Sequence, residues 1–231
     1  VFLNEDAEFV ELAERHSVSL TDVRQPPHRS DLHFYEGKID EVKSVRVLIL
    51  GTDSASGKRT TAWILRNALV EKGYSAEMIG TGQTAWMQGA RFGIRLDSLV
   101  NDFVAGEIEH VVRRAWQEAA PDVVVVEGQG ALLHPAYPGG LELIASVKPD
   151  VLLLQDVPAR KTFDGFEDLP MPAMQRQIDA LELLSGRSVT ALTINAKGLT
   201  PSEADSICRT YEAQFDRPAV DVFAEGCDRL I

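Results

Sequence analysis

Apolar residues in this chain fall into short, nearly unbroken runs separated by longer stretches with helical spacing. The runs are Val45-Arg46-Val47-Leu48-Ile49-Leu50, Ala76 to Ile79, Val123-Val124-Val125-Val126, Val151-Leu152-Leu153-Leu154 and Val189 to Ile194. Runs of this kind suit strands buried on both faces of a parallel sheet. A helix is predicted over Thr60 to Lys72, with Trp63, Ile64, Leu65, Ala68 and Leu69 inward and Gly73 ending it. A longer one is predicted over Asp97 to Ala119, with a buried stripe of Val100, Val104, Ile108, Val111 and Ala115 and a stop at Pro121. Met174, Ile178, Leu181 and Leu184 mark a third, closed by Gly186. Thr200-Pro201-Ser202-Glu203 joins a capping box to a proline at the first helical position, so a fourth begins there. Val220-Asp221-Val222-Phe223 reads as the last strand. Strands alternating with helices predict an α/β fold with a doubly wound, mostly parallel sheet, which takes ligands at the carboxyl ends of its strands.

The first part of the chain follows another pattern. Asp6 to His16 reads as a short helix burying Phe9, Val10, Leu12 and Ala13. Val18-Ser19-Leu20-Thr21-Asp22-Val23 alternates like a strand until Pro26-Pro27 stops it. One helix and one strand cannot enclose a core. The expected division is therefore a tail of an N-terminal domain over 1–30, a linker over 31–44, and an α/β domain over 45–231. The chain begins at Val1, so a trimmed or partial chain is expected.

The net charge of −12 argues against a general affinity for nucleic acid or anionic membrane, although a local cluster of amides and cations can still hold a small anion. Cys208 and Cys227 form neither a metal-ligand pattern nor a redox pair, and Cys208 falls on the apolar side of a helix. No signal-peptide pattern and no membrane-length apolar run is visible, which makes a cytoplasmic location the expectation.

Candidate chemistry concentrates at the strand ends. Gly51-Thr52-Asp53-Ser54-Ala55-Ser56-Gly57-Lys58 fits the G-x-x-x-x-G-K pattern of a P-loop, placed between a buried strand and an amphipathic helix. Its glycines let successive amides face an anion, the helix adds the positive end of its dipole, and Lys58 adds a full charge. The sheet is thus expected to be of the P-loop NTPase type. The residue after the lysine is Arg59, where a metal-binding loop carries Ser or Thr. Either Thr60, next to Thr61, substitutes through a shifted turn, or the loop holds phosphate without a catalytic metal. Glu127 closes the Val123–Val126 run and is a candidate general base or metal ligand. Asp53 is a candidate for the same work or for capping the loop's own amides. His134 could act as acid, base or hydrogen-bond donor, or be structural. Gln83 and Thr84 could donate to a substrate, and Arg91 and Arg95 could clamp a carboxylate. Asp102 and Glu109 share a helix face, which is either functional or merely solvated. Asn195 could read a purine edge or form a turn.

Several of these stretches together resemble a known family. Gly51-Thr52-Asp53 with Gly57-Lys58-Arg59-Thr60-Thr61, then Gly80-Thr81-Gly82-Gln83-Thr84, Asp102-Phe103-Val104-Ala105-Gly106 and Glu127-Gly128-Gln129-Gly130-Ala131-Leu132-Leu133-His134-Pro135 look like domain of unknown function 1611. The resemblance runs from about Val45 to the C-terminus and implies a further, Rossmann-like N-terminal domain. Members of that family include enzymes described as D-glutamate N-acetyltransferases, which implies acetyl-CoA as donor, its phosphates in the loop and no metal. Gly51-Thr52-Asp53 and Glu127-Gly128 also resemble, more distantly, dethiobiotin synthetase. That likeness implies the alternative, ATP with Mg, with Glu127 helping to hold the metal; Arg59 departs from it. A third reading is a non-catalytic nucleotide-binding module. P-loop relatives of this branch imply a homo-oligomer acting on a small-molecule substrate.

Overall fold

The computed structural model describes residues 2–231. In chain order its main elements are α1 (Ala7–Arg15), β1 (Val45–Gly51), α2 (Lys58–Glu71), β2 (Ala76–Gly80), α3 (Gln83–Met87), β3 (Phe92–Gly93), α4 (Asn101–Ala119), β4 (Val123–Glu127) and α5 (Gly140–Val147). They continue with β5 (Val151–Asp156), β6 (Thr162–Phe163), β7 (Phe166–Pro170), α6 (Met174–Ser185), β8 (Val189–Ile194), α7 (Pro201–Phe215), β9 (Ala219–Asp221) and α8 (Val222–Glu225). Seven strands form one sheet in the order β3-β2-β4-β1-β5-β8-β9, and every neighbouring pair is parallel. β1 lies in the middle, between β4 and β5, so the loop that leaves it opens at the centre of the sheet's carboxyl edge.

The apolar runs explain this placement. Alternate residues of each strand face opposite layers, and both faces are covered. Leu48, Leu50, Val124, Val126, Leu152 and Leu154 pack with α4, α5, α6 and α7 through Ile108, Leu143, Ile178 and Cys208. Val47, Ile49, Val125 and Leu153 pack with α2, α3 and α8 through Leu65, Ala85 and Val222. Both cysteines are free and buried. The Thr200–Glu203 capping box opens α7 as expected, and Gly186 closes α6 in the left-handed conformation.

Several expectations need correction. Val18 to Val23 forms no strand, because no neighbouring strand is there to pair with it, and Val18 is exposed. Helix α1 buries none of its residues; Phe9 and Leu12 face outward. α2 starts at Lys58 rather than Thr60, and α4 starts at Asn101 rather than Asp97, after a separate short turn at Leu96–Ser98. Val100 and Leu184 are exposed, outside the stripes assigned to them. The last strand stops at Asp221, whose carboxylate accepts the amides of Phe223 (3.1 Å) and Ala224 (3.3 Å) and so turns Val222 and Phe223 into α8. Gln83 and Thr84 do not end a strand; they begin α3.

Residues 33–39 are fastened to α4 by two buried carboxylates. Glu107 accepts the amide and Nδ1 of His33 at 2.8 and 2.7 Å. Glu109 accepts the amides of Glu36 and Ile39 at 2.7 and 3.0 Å. Glu109 is thus no solvated residue: backbone donors satisfy a charge that burial would otherwise make costly.

Candidate active site

The P-loop joins β1 to α2. Gly57 adopts φ +104, a conformation L side chains rarely reach, and a Cβ there would lie 2.7 Å from the Phe223 ring. Ala55 also takes a positive φ, +46, at a cost of about 1 kcal/mol. Arg160 holds that arch: its guanidinium donates to the carbonyls of Ser54 (2.8 Å) and Ala55 (3.0 Å) and to Asp53 Oδ2 (2.7 Å). Asn195 Nδ2 donates to the Ser56 carbonyl at 2.9 Å, and its Oδ1 accepts the Lys197 amide at 3.1 Å. Both ends of that amide are therefore engaged in shaping the turn. Behind the loop, Thr52 Oγ1 donates to Asp156 (2.7 Å), and Thr61 Oγ1 donates to Gln155 Oε1 (2.5 Å), which Thr193 also contacts (2.8 Å).

The inner surface of the loop is free. Among the described residues, no protein acceptor takes the backbone N–H groups of Gly57, Lys58, Arg59 and Thr60. Lys58 folds over them, its Nζ donating to the Asp53 carbonyl at 2.8 Å and lying 3.4 Å from Ser56 Oγ. Burial lowers its pKa to about 8, against the opposing pull of Asp53 and Glu127. An arriving anion would reverse that shift by supplying the missing counter-charge.

This loop forms one wall of a cleft of about 930 Å³. Leu96, Leu99 and Val104 form an apolar flank; Tyr137, Pro138 and Gly139 lie on the side of the turn that follows β4. Glu127 reaches the cleft from the end of β4. One of its oxygens accepts the Thr81 amide at 3.1 Å, and the other lies 4.0 Å from Arg59 Nη1. Burial raises its pKa, while the Thr81 bond, Arg59 and Lys58 oppose the rise. Gly128 is required beside it: a Cβ would meet the Ile49 carbonyl at 2.0 Å and the Lys58 side chain at 3.0 Å. A cleft of this size, with an apolar flank facing a wall of polar and charged groups, can take a cofactor or small molecule that is itself part apolar and part charged.

Residues 33–231 match the family described as a domain of unknown function (DUF1611_C) P-loop domain. The chain belongs to the DUF1611 family. A DUF1611 family protein from Anabaena variabilis has the same fold, with a TM-score of 0.89 at 28% identity, covering 100% of this chain and 67% of that one. A curated relative from Pseudoalteromonas, named D-glutamate N-acetyltransferase, is 28% identical over 97% of this chain, which spans 67% of the relative's length. An ADP-bound nucleotide-binding protein from Archaeoglobus fulgidus shares the P-loop fold only, with a TM-score of 0.54 at 13% identity over 76% of this chain and 82% of that one.

Of the residues nominated from sequence, Ser54, Ser56, Gly57, Lys58, Arg59, Thr60 and Glu127 line this DUF1611 cleft together. Gly51, Thr52 and Thr61 support the loop from behind. Asp53 and His134 lie in a separate buried knot. Asp53 takes Arg160, the Asp164 amide (2.9 Å) and the Ser54 amide (2.7 Å), which matches its capping alternative. His134 Nδ1 accepts the amides of Ala136 and Tyr137, both at 3.1 Å, which puts the ring proton on Nε2, 3.5 Å from Asp53 Oδ1. Its ring lies among Tyr137, Phe163 and Phe166. Neither residue lines the cleft.

Gln83, Thr84, Arg91, Arg95 and Asp102 do not line it either. Arg91 pairs with Glu118 (3.2 Å) and approaches Glu77 (4.0 Å) on the outer surface. Sequence reasoning missed Asn101, Gln129, Tyr137, Glu142 and Asp164 on the cleft wall and Arg160, which braces the loop. The glycine-proline turn Tyr137-Pro138-Gly139-Gly140, in the same loop that leaves the strand-end Glu127, was a usable signal for the wall. Arg160 carried none, since its partners lie more than a hundred residues away in sequence.

Proposed function

We propose that the chain catalyses transfer of an acetyl group from acetyl-CoA to the amine of a D-amino acid, with D-glutamate as the first substrate to test. The observation that carries this reading is a single cleft joining unpaired loop amides, which suit a phosphate, to a desolvated carboxylate, which suits a proton. The curated relative named D-glutamate N-acetyltransferase supplies the reaction class. Coenzyme A phosphates rest on the amides of Gly57 to Thr60 with Lys58 and Arg59. The pantetheine arm lies along Leu96, Leu99 and Val104.

The chemistry follows from the acceptor. An ammonium cannot attack a carbonyl, so it first gives one proton to the Glu127 carboxylate, which passes it to solvent. The neutral amine then forms a C–N bond to the thioester carbon. As the C–S bond breaks, the second amine proton goes to the departing sulfur. The products are the N-acetyl amino acid, coenzyme A thiol and one proton. Burial of Glu127 raises its pKa above the ordinary carboxylate value and so strengthens it as a base, while the Thr81 amide, Arg59 and Lys58 oppose the rise. The backbone amides of Gln129 and Gly130 have no protein acceptor among the described residues and line the same cleft, which makes them available to the tetrahedral oxyanion. Asn101 and Gln129 offer neutral donors to the substrate's carboxylates.

Incubating the full-length protein with acetyl-CoA and D-glutamate should release free thiol, and Glu127→Gln should suppress the release. No release above background across a panel of D-amino acids overturns the proposal. The runner-up, ATP-dependent activation of a carboxylate, calls for a metal-binding hydroxyl directly after Lys58, and Arg59 stands there instead.

A further inference from the structure

Loops of this type ordinarily share the phosphate charge with a divalent cation, held by the hydroxyl that follows the lysine. A hard cation of that kind wants about six oxygen ligands. The residues around this loop do not fit one. Arg59 takes the hydroxyl's position in the sequence, and Thr60 stands exposed at the start of α2. The Thr61 hydroxyl is committed to Gln155 at 2.5 Å. Asp53 is occupied by Arg160 and two amides, and Asp156 by the Thr52 and Tyr211 hydroxyls at 2.7 and 2.9 Å. Asp97, Glu127, Glu142 and Asp164 line the cleft, but among the described residues no three acidic, histidine or cysteine side chains gather as a metal site, and the free oxygen of Glu127 faces a guanidinium 4.0 Å away.

Arg59 meanwhile has donors to spare. Its Nε is buried without a hydrogen-bond partner, and its Nη1 contact with Glu127 is too long for a hydrogen bond. A guanidinium with free donors beside unpaired amides can bind phosphate oxygens in a fixed, paired geometry. It would also repel a cation brought to the same place.

We propose that Arg59 takes over the charge-neutralising role of the metal, so that this loop binds a pyrophosphate-bearing ligand without a divalent cation, and that this one residue sets the choice. The inference deepens the proposed function, and it rests on the phosphate site rather than on the acetyl transfer.

The test is calorimetric titration of the full-length protein with coenzyme A, once in EDTA and once in magnesium. The wild type should bind equally well in both. Arg59→Thr should lose about tenfold or more in EDTA, the worth of a charge-assisted bond, and recover part of it in magnesium. Arg59→Lys should lose less, because it keeps the charge, and thermal melts establish that both variants fold. Wild-type binding that requires magnesium, or Arg59→Thr binding as tightly as wild type in EDTA, overturns the proposal. Failure of magnesium to restore any affinity to Arg59→Thr overturns the claim that this one residue sets the choice. If the wild type binds coenzyme A under neither condition, the phosphate site falls and this inference with it. If it binds without metal yet releases no thiol with any amine, the inference stands and the acetyl-transfer reading falls.

Discussion

Glu127 and Asp53 are both buried carboxylates at the carboxyl ends of adjacent strands, yet the protein surrounds them in opposite ways. Asp53 is enclosed, receiving a guanidinium and two backbone amides, with His134 Nε2 lying 3.5 Å away. Glu127 has one amide bond, a distant guanidinium and an opening onto the cleft. The first arrangement spends a charge on geometry: it fixes the arch of the loop and ties it to the hairpin of β6 and β7. The second leaves a charge under-satisfied, which is costly for folding and useful for chemistry. A residue's burial and type are thus poor guides to its role, and the number of partners it already has is a better one.

Mutations should separate the two regions cleanly. The largest effect is expected for Glu127→Gln, which removes the base and should lower kcat by about two to four orders of magnitude while leaving coenzyme A affinity nearly intact, as steady-state kinetics beside calorimetry would reveal. Asp53→Asn should act on folding instead. It strands Arg160 and should cost about 3 kcal/mol, read from the urea midpoint. An Asp53→Asn protein with normal stability and no activity would erase the distinction drawn here.

A smaller effect belongs to pH. The ligand favours protonated Lys58, whose pKa in the free protein is about 8. The complex holds its proton more tightly than the free protein does, so affinity falls as pH rises. Acetyl-CoA affinity should be flat below that value and fall by up to about tenfold per pH unit above it, and Lys58→Met should abolish the slope. On the acid side, kcat/KM should rise with pH through a group titrating above the ordinary carboxylate range, and Glu127→Gln should remove that limb. The smallest effect is expected at His134. His134→Asn should cost about 1–2 kcal/mol of stability, because the ring's packing among Tyr137, Phe163 and Phe166 is lost, and should lower kcat far less than Glu127→Gln.

The central sheet and the P-loop were legible in the sequence because each is written locally. A run such as Val123–Val126 has few alternatives to a buried strand, and Gly57-Lys58 between strand and helix has one strong reading. α5 escaped notice because it is short, opens on two glycines and carries no side-chain cap. Val18 to Val23 misled because alternation predicts a strand only where a neighbour can pair with it. The capping role of Asp53 was legible through the neighbouring Ser54 amide, but its tie to Arg160 and the role of Glu109 could not be read, since partners some 70 to 110 residues distant decide them. Arg91 and Arg95 looked like carboxylate clamps for the same reason: arginine type is visible in sequence, and the direction it faces is not.

The central claim, that unpaired amides at the start of α2 receive the ligand's phosphate, can be read directly by following backbone amide resonances of labelled protein as coenzyme A is added. Large shifts at Gly57, Lys58, Arg59 and Thr60, with little change in the Asp53–His134 knot, are predicted. Saturable binding that moves residues elsewhere and leaves those four amides unchanged would contradict the account.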